Sequence, residues 1–297
     1  MALARFLTRL MDAQSGWAKP LGSWAHGLLH RFFHWAPGLR DFLNGRWLGH
    51  PIHAVLTDAP IGILFLVIVF DVLSQPTAAF WSLLIGVLAM LAAAVAGFAD
   101  YSDTDGLARD RATLHSSLMI VALLLYVVSL VLRSGTGAVG PAAIGLSVIA
   151  FLVLAAGAFV GGDVVYVTGN MVSRHAFRGA GGKWIELLPA QLAEDGSIPE
   201  GKLVKARLGA NTLVLIREGS EILALHDTCA HAGGPLSEGQ FENGLVECPW
   251  HYSRYEMRTG FVVQGPSVYD QPAYEVRARE GGGWEARRKT EEPRSRA

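Results

Sequence analysis

Both cysteines of the chain lie in short segments that also carry a histidine: Cys229-Ala230-His231 and Cys248-Pro249-Trp250-His251, with sixteen residues between them. Thiolate is a soft donor and imidazole a borderline one, so four such ligands form the donor set of a transition-metal centre. Within the spacer, Asn243-Gly244 is a strong signal for a tight hairpin turn, which would fold the second segment back beside the first. Two other readings use the same residues. A closed tetrahedral zinc site would take all four, whereas a Cys229–Cys248 disulfide would take two and leave both histidines without a role. No disulfide framework beyond one bridge can exist.

The pair of segments resembles the Rieske family of iron–sulfur domains through C-x-H, the spacer and C-x-x-H. The likeness continues in Ala232-Gly233-Gly234-Pro235-Leu236, Arg258-Thr259-Gly260 and Gly265-Pro266, and covers the last third of the chain. It implies a 2Fe-2S cluster with Cys229 and Cys248 on the inner iron and His231 and His251 on the outer one, an arrangement whose potential lies above that of all-Cys clusters. Respiratory members carry an extra cysteine in each segment. Ala232 to Gly234 and Trp250 supply none, which points to the ferredoxin-like branch and a reducing cytoplasm. Ser253 and Tyr255 stand where higher-potential members place hydroxyls that donate to a bridging sulfide and a ligand sulfur; loop packing is their other reading. Oxygenases of the family need a further domain with a two-His, one-carboxylate iron site. Only nine residues follow Arg288, so such a domain is not expected.

The elements that would position these residues are strands. Apolar and polar residues alternate over 202–207, 212–217, 221–226 and 274–279, with turn signals at Asp195-Gly196, Asn243-Gly244 and Thr259-Gly260. Residues 184–289 therefore read as a small all-β domain, followed by a charged tail at 290–297.

The rest of the chain is of another kind. Of 297 residues, 51% are hydrophobic and 17% charged, against roughly 25% charged in ordinary soluble domains. The excess is concentrated in four runs, about 54–73, 78–99, 114–132 and 138–160, each long enough to span a bilayer as a helix. The fold class expected is thus multidomain: an N-terminal four-helix transmembrane bundle at 51–163, a connector at 164–183 and the C-terminal all-β domain. Gly86, Gly97, Gly145 and Gly157 would let helix backbones approach. Residues 1–50 interleave Arg and aromatics with apolar residues and read as helices lying in the membrane interface against lipid, rather than as a cleaved signal peptide. His26, His30 and His34 recur every four residues on one face, as a metal site or as ordinary interfacial histidines.

Four spans place both termini on one side. Arg5, Arg9, Lys19, Arg31, Arg40 and Arg46 precede the first span, while the two opposite-side loops hold Arg133 alone, so both termini and the β domain are expected in the cytoplasm of a bacterial inner membrane. The segment Gly49-His50-Pro51-Ile52-His53, followed by Thr57-Asp58-Ala59-Pro60-Ile61-Gly62, resembles a family of four-helix bacterial membrane proteins of unestablished function. His53, Asp58, Asp100, His115 and Asp163 should gather at the cytoplasmic end. Three readings stand for them: a b-type heme between His53 and His115, a quinone headgroup site using His and Asp, or helix capping and anchoring.

A net charge of −1 excludes nucleic acid held by a basic surface. What the resemblance implies is a membrane-anchored carrier of single electrons, with exposed His231 and His251 edges passing the electron to a redox-protein donor or acceptor. A quinol-oxidising or heme-coupled membrane enzyme is the alternative, and a redox sensor a further one.

Overall fold

A computed structural model of the chain describes residues 2–135, 139–176 and 182–289. The tail at 290–297, Ala138 at the start of the fourth apolar run and residues 177–181 of the connector lie outside the described residues. The chain forms two compact units, Met1–Asn170 and Met171–Ala297.

The first unit is helical: α1 (Ala2–Asp12), α2 (Ser15–Trp35), α3 (Pro37–Leu43), α4 (Ile52–Val72), α5 (Pro76–Tyr101), α6 (Gly106–Arg133) and α7 (Pro141–Tyr166). The last four are long and apolar enough to cross a membrane. Pro76 and Pro141 open their helices, where the missing N–H is not needed and the fixed φ is already helical. α4 packs closely on α5, and α6 on α7, making two helical hairpins that touch each other more sparsely. Gly86 permits the first close approach, because a Cβ there would lie 2.5 Å from Leu64 Cδ2; Gly157 does the same against Leu118 and Met119. Gly145, expected to act likewise, faces open space.

Two spans are longer than their apolar runs, for an electrostatic reason. α6 begins at Gly106 rather than near Leu114, and α7 continues past Val160 to Tyr166, so that Asp163 lies inside it and the first three residues of the expected connector are helical. Arg111 Nε donates to Asp163 Oδ2 at 3.0 Å and its Nη2 to Asp12 Oδ1 at 2.6 Å. Paired charges let a helix continue where hydropathy falls. Arg133 is likewise no loop residue. It ends α6 with its side chain fully buried and holds Asp71 through two bonds, Nη1–Oδ1 at 2.7 Å and Nη2–Oδ2 at 2.6 Å, while Nε reaches Ser129. This bidentate pair joins α4 to α6 and so ties the two hairpins at one end.

α1 to α3 are helices, as expected for 1–50, and they carry exposed apolar residues such as Leu3, Phe6, Trp24 and Leu28. α2 also packs against α5 and α6, and α3 against α5. Gly22 carries no Cβ where one would meet Thr113 Oγ1 at 2.6 Å, and Tyr101 Oη donates to the Gly22 carbonyl at 3.2 Å.

The second unit contains β1 (Ile185–Pro189), β2 (Val204–Leu208), β3 (Asn211–Glu218), β4 (Glu221–His226), β5 (Gln240–Glu242), β6 (Leu245–Glu247), β7 (Arg254–Glu256), β8 (Val262–Gln264), β9 (Ala273–Ala278) and β10 (Trp284–Arg288). A closed barrel runs β1-β10-β9-β4-β3-β2, and β5-β6-β7-β8 form a separate four-stranded sheet. β2, β3, β4 and β9 fall on the alternating segments read from sequence. The three-residue strands of the small sheet are too short to show a period.

Removing Asp71 alone strands a buried guanidinium, so Asp71→Ala should cost about 3–5 kcal/mol, and Asp71→Leu combined with Arg133→Leu should regain most of it. Thermal unfolding in detergent measures both. Between α5 and α6, burial raises the Asp103 carboxyl to about 7, against the opposing pull of Arg40. The folded state then binds a proton that the unfolded chain has lost. The associated stability is complete below about pH 4, where unfolded aspartate is also protonated, and declines as pH rises through about 7. Asp103→Asn should flatten that decline in melting temperature between pH 5 and 8.

Candidate metal centre

Cys229 sits in the loop after β4 and Cys248 in the loop after β6. The two loops are built alike. In the first, Cys229 N–H donates to the Gly234 carbonyl at 2.8 Å and Gly233 N–H to the Cys229 carbonyl at 3.0 Å. In the second, Cys248 N–H donates to the Ser253 carbonyl at 2.9 Å and Tyr252 N–H to the Cys248 carbonyl at 3.1 Å. The tight turn at Asn243-Gly244 is present, with φ of 52° and 79°, and joins β5 to β6. Gly234 brings the loops together: a Cβ there would lie 2.8 Å from Cys248 Sγ and 3.0 Å from the Trp250 ring. A third loop closes over them through Gly265, at φ +97°, whose Cβ would fall 2.6 Å from Ser253 Cα.

The donors segregate. Cys229 and Cys248 are buried within hydrogen-bonding reach of each other, and the His231 and His251 rings stand together with centroids 5.0 Å apart at 86°. Two thiols and two imidazoles brought together in this way are a donor set that could hold metal. The cysteines are not joined as a disulfide.

Burial alone would push the Cys229 thiol up, but bonds from Cys248, Tyr255 and the backbone amides of His231 and Ala232 hold it down to about 7. Cys248 moves the other way, because it shares a proton with Cys229 and faces that charge in a buried site. A bound cation would favour the thiolate form of both.

Tyr255 is fully buried and its Oη lies 3.1 Å from Cys229 Sγ. Burial and the nearby thiolate push its phenol well above its usual range, so it remains a donor. Ser253, also fully buried, accepts the Ser267 amide at 3.2 Å, which leaves its own hydroxyl hydrogen available to donate. One expectation is corrected. His231 and His251 do not present exposed edges; they are only 5% and 9% exposed, while the neighbouring Trp250 and Tyr252 are 49% and 44% exposed. The Trp250 ring stands edge-on to that of His251, with centroids 6.5 Å apart.

Sequence reading missed the supports of the first loop. Gln271 Oε1 accepts the Ala230 amide at 2.9 Å, and its Nε2 donates to the carbonyls of His226 and Thr228 at 2.5 and 2.6 Å. His175 Nε2 donates to the same Thr228 carbonyl at 2.8 Å, and its ring lies 4.6 Å from that of His226. These partners are more than forty residues from the loop, so no local motif announces them.

In the helical unit, His53 and His115 do meet, with ring centroids 6.3 Å apart. The other residues expected there separate. Asp58 is exposed, Asp163 is engaged by Arg111, and Asp100 is buried near Asp103, which faces Arg40. The His26 and His30 rings stack at 5.4 Å and His30 Nδ1 bonds the Ser102 carbonyl, while His34 is exposed.

Residues 189–275 match the family described as "Rieske [2Fe-2S] domain", and residues 49–174 the family described as "Predicted membrane protein (DUF2231)". The chain is similar to Ferredoxin CarAc of Metapseudomonas resinovorans, at 31% identity over 98 residues, covering 33% of this chain and 88% of that protein. It is also similar to the anthranilate 1,2-dioxygenase ferredoxin subunit of Burkholderia cepacia, at 37% identity, covering 25% of this chain and 68% of that protein. The solved complex of reduced oxygenase and oxidised ferredoxin in carbazole 1,9a-dioxygenase contains a chain covered completely by 37% of this one, at 28% identity and a TM-score of 0.31.

Gln271→Leu should leave two buried backbone groups unsatisfied, the Ala230 amide and the His226 carbonyl, at roughly 1–3 kcal/mol each, while the Thr228 carbonyl keeps its bond from His175. Faster amide exchange at Ala230 than at residues of β3 would report the loosened loop.

Proposed function

The chain belongs to the Rieske [2Fe-2S] family through its last third, and on that premise we propose that it carries single electrons between redox proteins at a membrane surface. Its electron-transfer, iron–sulfur character follows from the family and from relatives that are ferredoxin components; the residue roles, anchoring geometry and partner class are our reading. The observation that carries the site assignment is the buried pairing of thiol with thiol and imidazole with imidazole.

Cys229 and Cys248 would hold one iron, and His231 and His251 the other. When bound, the cluster supplies a one-electron couple. The chain's own residues set the terms of that couple. Amides of His231, Ala232 and Trp250 and the Tyr255 hydroxyl direct positive dipoles at the two sulfurs, which favours the more negative reduced state. Ser253 stands ready to add another. Burial keeps water from the thiolates, and the exposed Trp250 and Tyr252 rings form the face that a partner would meet. No protein nucleophile or general base is called for.

The relatives are named as ferredoxin components of dioxygenase systems, which supports an oxygenase, or the reductase that feeds one, as partner class. Anchoring by α4 to α7 would raise the effective concentration for a partner at the same membrane. Basic residues precede α4, and neither connecting segment, 74–75 or 134–140, contains Lys or Arg once Arg133 is counted within α6. That distribution supports cytoplasmic termini and a cytoplasmic β domain. The His53–His115 pair supports a second reading, in which the bundle holds a redox group, heme or quinone, that exchanges electrons with the cluster.

Anaerobically purified protein should contain two iron and two labile sulfide per chain, as expected of this cluster type, and give a reduced-state paramagnetic resonance signal. Iron-free protein, or zinc alone, would refute the carrier reading. In Tyr255→Phe the midpoint potential should fall by about 50–100 mV, the equivalent of one hydrogen bond to a charged sulfur. An unchanged potential would remove Tyr255 from the tuning role. Quinol-dependent reduction of the cluster by purified protein would favour the second reading.

A further inference from the structure

Each helical hairpin of the bundle fixes one imidazole in the same way. His53 on α4 bonds through Nδ1 to the carbonyl of Ala93 on α5 at 2.8 Å, and Gly97, four residues on, gives its ring room, since a Cβ there would lie 2.8 Å from His53 Cε1. His115 on α6 bonds through Nδ1 to the carbonyl of Gly157 on α7 at 2.8 Å, and Gly161, again four residues on, gives room, with a Cβ 2.9 Å from His115 Nδ1. A carbonyl only accepts, so Nδ1 carries the proton in both rings and Nε2 keeps its lone pair. This is how metal-ligating histidines are oriented elsewhere.

Three further observations select the ligand. The two rings come from diagonal helices and stand 6.3 Å apart between centroids at 79°. Two metal–nitrogen bonds of about 2.0 Å leave roughly 4 Å between nitrogens, which this separation accommodates with half a ring width on each side. Among the described residues no third His, Cys, Asp or Glu joins the pair in a group able to hold a bare ion. Two imidazoles therefore suit an iron whose other four positions are filled by a macrocycle. The hairpins are closely packed internally and sparsely packed against each other, and the Asp71–Arg133 tie lies toward the other ends of α4 and α6.

The geometry points to a b-type heme held between His53 and His115, with one axial ligand from each hairpin. It deepens the second reading above, but the site is argued from the bundle alone and does not depend on the cluster. One electron would be taken up or released at the iron, with no bond made or broken and no proton required.

The test uses full-length protein purified in detergent from heme-sufficient cells. Pyridine hemochrome analysis should give one noncovalent heme per chain, and the ferric state should show a low-spin, two-imidazole resonance spectrum. His53→Ala and His115→Ala should each convert the iron to a high-spin, carbon-monoxide-binding form or lose it, with the cluster signal retained as proof of folding. In His115→Ala, added imidazole should restore the low-spin spectrum. A protein with an intact cluster and no heme, with or without co-purifying quinone, would overturn the proposal and leave the carrier function standing. A low-spin spectrum unaltered in both variants would also overturn it.

Discussion

The β domain is organised around one constraint: two cysteine sulfurs, both almost fully buried, lie within hydrogen-bonding reach of each other. Charge in an apolar core is tolerated only when donors and counter-charge surround it. The donors come from two loops of nearly the same construction, and each loop closes on its own cysteine through backbone hydrogen bonds before it meets the other. Tyr255 reaches Cys229 from β7, so the small sheet is the device that aims a phenol at a thiolate. The barrel supplies rigidity below, through β4 and the Gln271 bridge.

The helical unit meets a related demand differently. Two of its buried arginines are neutralised by partners on other helices: Arg133 by Asp71, and Arg111 by Asp163 and Asp12. Each pair spans elements distant in sequence, so the charges double as fasteners that set which helices are neighbours. Toward the other end of α4 and α6, two histidines whose Nδ1 atoms bond carbonyls of α5 and α7 stand near each other in place of an ion pair. The pattern repeats from one hairpin to the next, down to the glycine under each ring.

The strengths and the misses of sequence reading have a common origin. Long apolar runs and period-two alternation are local and cumulative, so four spans and the longer barrel strands could be read directly. Helix ends could not, because α6 and α7 extend through polar residues whose charges are cancelled by residues far along the chain. Arg133 looked like a loop charge for the same reason. The exposure expected of His231 and His251 failed because both rings are buried where the two loops meet, with the Trp250 ring beside His251.

The sequence by itself determined the kind of chemistry: two Cys-His segments, a tight turn between them and hydroxyls at Ser253 and Tyr255 are local facts of residue type and spacing. It also determined that the chain divides into an apolar helical part and a polar β part. Only the tertiary structure decided which donors stand together, which carbonyl fixes the Nδ1 proton of His53 and His115, and that Gln271 and His175 support a loop more than forty residues away. Those are relations between chain-distant atoms, set by packing and by the need to satisfy every buried polar group, and no one-dimensional pattern contains them.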